Sequence, residues 1–87
     1  MYLHLGGDFS VHISDVLSIH DYEKMKKTET GKKFLLNRKN ATTDFSGGKP
    51  KSVVVTDRAI YLSVLSPMTL KKRAEESMIH VFPGMEA

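Results

Sequence analysis

The sequence predicts a small β-rich α+β domain with four to five strands, a central helix and a C-terminal helix. Three observations carry that expectation. Val53, Val54 and Val55 form a β-branched run of the kind that favours a pleated, half-buried surface. Residues 60 to 64 alternate with the period of a strand that has one buried face. Ser66 followed by Pro67 then supplies a helix N-cap and a first helical residue with preset φ and no N–H to waste.

At 87 residues the chain has room for one core. A domain of that size buries only a little over ~60% of the surface its unfolded chain exposes, so it gains from self-association. From the N-terminus, Tyr2 to Leu5 and Phe9 to Ser14 read as a hairpin closed at Gly6-Gly7, a dipeptide that supplies the positive φ of primed turns. Phe9, Val11 and Ile13 share a face, with Ser10 and His12 on the other. Val16 to Tyr22 reads as a third strand after a bend near Ser14-Asp15. From residue 24 to 41 the strand pattern is lost. Phe34-Leu35-Leu36 sits among good helix formers there, which predicts a short helix from about Thr30 to Lys39, with Gly31 awkward near its start.

Thr42 to Lys51, with Gly47-Gly48 and Pro50, reads as a loop carrying a brief strand at Thr43-Asp44-Phe45. Two strands follow around an Asp57-Arg58 connection, the second burying Ile60, Leu62 and Val64. On the last helix Leu70, Ala74 and Met78 fall on one stripe, leaving Lys72 most nearly opposite and Lys71 and Arg73 on the flanks. Pro83-Gly84 breaks that helix, so residues 1–78 are expected to form the domain and 79–87 a short tail. So small a sheet leaves edges open, and another copy of the chain is the natural cover.

Several classes are disfavoured. No apolar run approaches the roughly 18 residues of a membrane span, and the N-terminus lacks a cationic leader followed by a long apolar segment. There is no cysteine, hence no disulfide or thiolate metal site. His4, His12, His20 and His80 lack the tight spacing of metal ligands and read as surface residues. Asp8, Asp15, Asp21 and Glu23 read as surface carboxylates and turn caps. Neither Gly pair sits in a nucleotide-loop motif, and no nucleophile elbow surrounds any serine. The expectation is a protein that is not an enzyme and needs no cofactor.

Charge is the remaining signal. The net formal charge is +3, but residues 1–23 hold four acids and no Lys or Arg, whereas residues 24–51 hold nine cations against Glu29 and Asp44. Such a run attracts a polyanion, because phosphate neutralisation supplies sequence-independent affinity. It equally describes lysines that solvate a helix and its loops. Lys49 and Lys51 flank Pro50 in a loop that feeds a strand. Lys71, Lys72 and Arg73 lie near the positive end of the last helix, where the macrodipole does not favour them. Aromatic residues are too few among these cations to suggest base stacking. The pattern suits backbone contact better than base reading.

MYLHLGGDFSV at the start and KPKSVVVTDRAIYLSVLSPMTLKKRA later together resemble the bacterial extracellular matrix regulatory protein family (RemA/RemB-like), and within it the B branch. The likeness runs from Met1 to about Ser77. It implies a cytoplasmic, nucleoid-associated protein of Bacillus-type bacteria. The A branch of that family forms closed rings of about seven or eight subunits, winds duplex DNA around a basic rim, and activates biofilm-matrix and osmoprotection genes. Carried to this chain, the resemblance implies a ring-forming homo-oligomer that contacts DNA through Lys49; from the charge pattern, Lys51, Arg38 and Lys39, or the Lys71, Lys72 and Arg73 group, are expected to add to that contact. Where the A branch presents DNA-contacting arginines, this sequence has Asp15 and Gly48-Lys49, and only Lys49 keeps the charge. The alternatives are a ring that acts through a protein partner such as an A-branch relative, without strong DNA binding of its own, and an RNA-binding module.

Overall fold

The computed structural model describes the backbone of residues 1–81 and the side chains of residues 1–76. Two strands, β1 (Tyr2–Gly6) and β2 (Phe9–His12), form the N-terminal hairpin. β3 (Val16–Asp21) follows a single 3-10 turn at Ile13–Asp15. Helices α1 (Tyr22–Lys27) and α2 (Glu29–Asn37) come next, and a second 3-10 turn at Lys39–Ala41 leads into β4 (Thr42–Asp44). β5 (Ser52–Thr56), β6 (Ile60–Ser63) and α3 (Pro67–Val81) complete the order. The α+β class is as expected, with six strands in two sheets and two helices in place of one central helix.

The larger sheet has the order β3-β5-β6-β4. β5 pairs antiparallel with both β3 and β6, whereas β4 runs parallel to β6. Val53 and Val54 are both fully buried although neighbouring residues point to opposite faces, so the middle of β5 is covered on both sides. One side carries the main core, in which Leu3, Leu5 and Val11 of the hairpin meet Val54 and Leu70 of α3. Five such buried side chains contribute about 1.5–3 kcal/mol each, the principal force holding hairpin, sheet and helix together.

Several local readings change. The second strand ends at His12 instead of Ser14, because the backbone N–H of Val16 bonds the Ile13 carbonyl and turns the chain. The third strand stops at Asp21, whose side chain caps α1. The face assigned to Ile60, Leu62 and Val64 is wrong at its end: Val64 is 40% exposed, while Ser63 is fully buried. The hydroxyl of Ser63 makes that burial tolerable. It donates to the Leu5 carbonyl at 2.5 Å and accepts from the Leu65 N–H at 3.1 Å. Leu5 falls in the register shift between His4 and Gly6 in the hairpin, and this hydroxyl serves its carbonyl. One side chain thus ties the two sheets together.

The Asp57-Arg58 turn forms without glycine and without any positive φ outside glycine. Thr56 does the work, its Oγ1 accepting from the Ala59 N–H at 3.0 Å and donating to the Ala59 carbonyl at 2.7 Å. Ser66 caps α3 as expected, accepting from the Thr69 N–H at 3.2 Å. Leu70 is fully buried and Ala74 packs beside it, while Lys71, Lys72 and Arg73 are exposed. The Met78 side chain expected on that stripe, and the tail beyond Val81, lie outside the described residues. The helix itself runs to Val81, past the expected domain boundary at residue 78.

Candidate nucleic-acid interface

The site is assembled from three chain segments that line neighbouring grooves. Asp21 ends β3 and opens α1, its Oδ1 accepting from the Lys24 N–H at 3.0 Å. Within α1, Glu23 lies in the first turn and Lys24, Lys26 and Lys27 in the last, the order the helix dipole favours. Lys51 is clamped by its backbone: its N–H donates to the Ser63 carbonyl at 2.8 Å, and its carbonyl accepts from the Tyr22 N–H at 3.0 Å. Ser66-Pro67, at the start of α3, supplies the third segment.

Two open grooves run on either side of the ridge these segments form, and both are lined by Asp21, Ser66 and Pro67. The first also takes in Lys26, Lys49 and Lys51. The second takes in Lys24, Lys71 and Lys72, over a floor that includes Met25, Phe34 and Val55. The structure therefore brings four expected residues, Lys49, Lys51, Lys71 and Lys72, to opposite flanks of one ridge. It adds Lys24 and Lys26, which sequence reasoning passed over because α1 went unseen. The overlooked signal was an Asp21 cap, with acid in the first turn and base in the last.

The other three expected residues stand elsewhere. Arg73 is exposed but lines neither groove. Arg38 caps the C-terminal end of α2, with its guanidinium 5.2 Å from the Phe34 ring centroid, and Lys39 follows in the 3-10 turn. Both precede β4, whereas the Lys49–Lys51 loop follows it. The strand pairs Thr42 with Ile60 and Asp44 with Leu62, so its length separates the two groups. Asp15 is exposed in the turn between β2 and β3 and lines neither groove.

The loop itself is held from within. Phe45 is stacked between Phe9 and Tyr61, with ring centroids at 4.0 and 5.3 Å, and its N–H donates to the Leu62 carbonyl at 2.8 Å. The carboxylate of Asp44 accepts from the Ser46 hydroxyl at 2.5 Å, the Ser46 N–H at 2.7 Å and the Gly48 N–H at 3.1 Å. These bonds, the Ser46 hydroxyl foremost and then the Ser46 N–H, hold its carboxyl below the ordinary aspartate value against the opposing effect of burial. Among the described residues the ion pairs are Lys26–Glu23 and Arg58–Asp57, and neither involves Lys49, Lys51, Lys71 or Lys72.

The fold and the site define a small α+β domain that offers lysines along open grooves. The chain belongs to the RemA-like family, described as extracellular matrix regulatory protein A-like, whose sequence model matches residues 2–74. It is 44% identical over 75 residues, 86% of this chain and 91% of the relative, to extracellular matrix regulatory protein B of Bacillus subtilis (strain 168). By family, then, it is a member of a group of extracellular matrix regulators. No helix among the described residues is long and apolar enough to cross a membrane.

Proposed function

We propose that this chain is a non-enzymatic regulator of matrix genes that binds the backbone of duplex DNA as a homo-oligomeric, closed ring. The observation that carries the reading is that Lys49 and Lys51, with Lys26, line one groove and Lys71 and Lys72, with Lys24, line another, the two sharing Asp21, Ser66 and Pro67. Lysine tips on flexible stems suit phosphate contact and lack the planar fork that reads guanine, so binding is sequence-tolerant. Repetition around a ring multiplies weak contacts into avidity. Arg38 and Lys39, at the far end of β4, and Arg73 contribute to the general positive field and not to the ridge.

Titration of labelled duplex at two salt concentrations tests this. The logarithm of affinity falls with the logarithm of salt by about 0.9 for each phosphate neutralised. Lys49→Glu with Lys51→Glu weakens binding across unrelated sequences and flattens that slope. Retention of DNA equal to wild type by the double variant rejects the site. Gel filtration with light scattering tests the ring, and a lone, folded 9.8 kDa particle at micromolar concentration rejects it.

One observation favours a second reading. The second groove has an apolar floor, and Met68 on its rim is 80% exposed, a surface suited to a protein partner such as an A-branch relative. Co-purification of such a partner, with no duplex retained at low salt, favours that alternative. Preference for single strands over duplex would point instead to RNA.

A further inference from the structure

We propose that Asp44 is a positioning residue for the DNA interface, setting the 46–48 turn so that Lys49 is presented toward phosphate. The inference rests on the reading of the Lys49–Lys51 loop as a DNA contact, and deepens it. Both ends of the loop are anchored without Asp44. Phe45 is fixed by its ring stack and its bond to Leu62, and Lys51 by its bonds to Ser63 and Tyr22. Between those anchors lie Ser46, Gly47, Gly48, Lys49 and Pro50. Ser46 and Gly48 are held by the Asp44 carboxylate, through three accepted hydrogen bonds.

Gly47 and Gly48 have φ of +69° and +89°, and a Cβ on either would meet nothing within 4 Å. They are needed for backbone conformation and not for space. Two adjacent glycines also have the largest conformational freedom to lose, so a turn built on them needs an internal tether to stay in one shape. Asp44 is that tether, and Lys49 is the residue immediately after its last hydrogen bond.

The arrangement has a counter-intuitive sign. A carboxylate close to a phosphate site repels DNA, so its removal on charge grounds alone tightens binding. Removal of a tether loosens it. Asp44→Asn keeps the size and the acceptor for Ser46 but replaces one oxygen with an NH2 that cannot accept from Gly48.

The experiment is a duplex titration at two salt concentrations with full-length wild type, Asp44→Asn, Lys49→Ala, and the pair combined. Asp44→Asn is expected to weaken binding and to lower the salt slope by up to about 0.9, the share of one phosphate contact. Its loss does not exceed that of Lys49→Ala, and in the Lys49→Ala background it adds no further loss, because it acts only through that lysine. Gly48→Ala, which changes no charge, gives the same background-dependent loss and serves if Asp44→Asn folds poorly. Unchanged or tighter binding by Asp44→Asn, with Lys49→Ala weakened, overturns the inference and leaves the interface standing. An additive loss in the double variant overturns it too. If Lys49→Glu with Lys51→Glu binds like wild type, the interface itself fails.

Discussion

Replacing Ser63 with alanine is the sharpest test of how this fold is held. The side chain is fully buried, and its hydroxyl serves two backbone groups, the Leu5 carbonyl at 2.5 Å and the Leu65 N–H at 3.1 Å. Alanine fits the space but leaves both groups without a partner. An unsatisfied buried polar group costs about 1–3 kcal/mol. Two of them, with Leu65 only partly buried, give an expected loss of roughly 2–4 kcal/mol. Total stabilities run at about 0.05–0.15 kcal/mol per residue, so this is a large share of what a chain of this length has. Each kcal/mol moves the midpoint of a small domain by about 4–8 °C, which puts the fall in Tm at roughly 10–30 °C. Urea unfolding at fixed protein concentration is the assay, because association would otherwise shift the apparent stability. The midpoint should fall with the slope m unchanged. A loss under about 0.5 kcal/mol, the range of ordinary surface changes, would refute the claim that this hydroxyl joins hairpin to sheet.

Gly31→Ala, normally a stabilising change within a helix, should destabilise here. The added Cβ would run into the Met25 carbonyl oxygen and stand 2.7 Å from Thr28 Oγ1, and thermal melts read the sign. Ser66→Ala should cost about 1 kcal/mol through loss of the α3 cap, seen in the same melts, with Ser66→Asp close to wild type. In an NMR titration the Asp44 carboxyl should show a midpoint below its ordinary 3.8. The sign follows: its folded value is depressed, so its contribution is complete above 3.8 and is lost as pH falls through the lower folded value. The Ser46 and Gly48 amides should move with it, and a midpoint at or above 3.8 contradicts the three hydrogen bonds.

The strands were legible because alternation and β-branching are local signals, as was the Ser66-Pro67 start of α3. What could not be read depended on distant partners. A buried Ser63 looks like a solvent-side residue until the Leu5 carbonyl, 58 positions away, comes into contact with it. Gly31 looks like a weakness in a helix until the Met25 carbonyl is packed against it. α1 is a single short run of tyrosine, glutamate, methionine and lysines with no apolar stripe, so periodicity passes over it and only its cap betrays it. For the site, Lys49 and Lys51 stood out through Pro50 and the glycine pair. That Lys71 and Lys72 border the same ridge, while Arg38 and Lys39 do not, follows from the path of β4 along β6 and from the hairpin that returns the chain to α3.

The division of labour within the proposed interface is what makes its lysines testable. The bonds that shape the ridge come from the backbone of Lys51 and from the side chains of Asp21, Asp44 and Ser66; the lysine tips take no part in them. Charge reversal at Lys49 and Lys51 therefore leaves the scaffold intact. It does change the overall field, since each Lys→Glu removes two units and the formal charge passes from +3 to −1. A protein drawn to DNA by net charge alone would lose affinity to the same degree wherever the reversal is made. Lys32 and Lys33 on α2 are exposed and line neither groove, so reversing that pair applies the same net change away from the ridge. A local contact requires the loop pair to lose more affinity and more salt slope than the helix pair. Equal losses would reduce the ridge to one part of a diffuse positive surface.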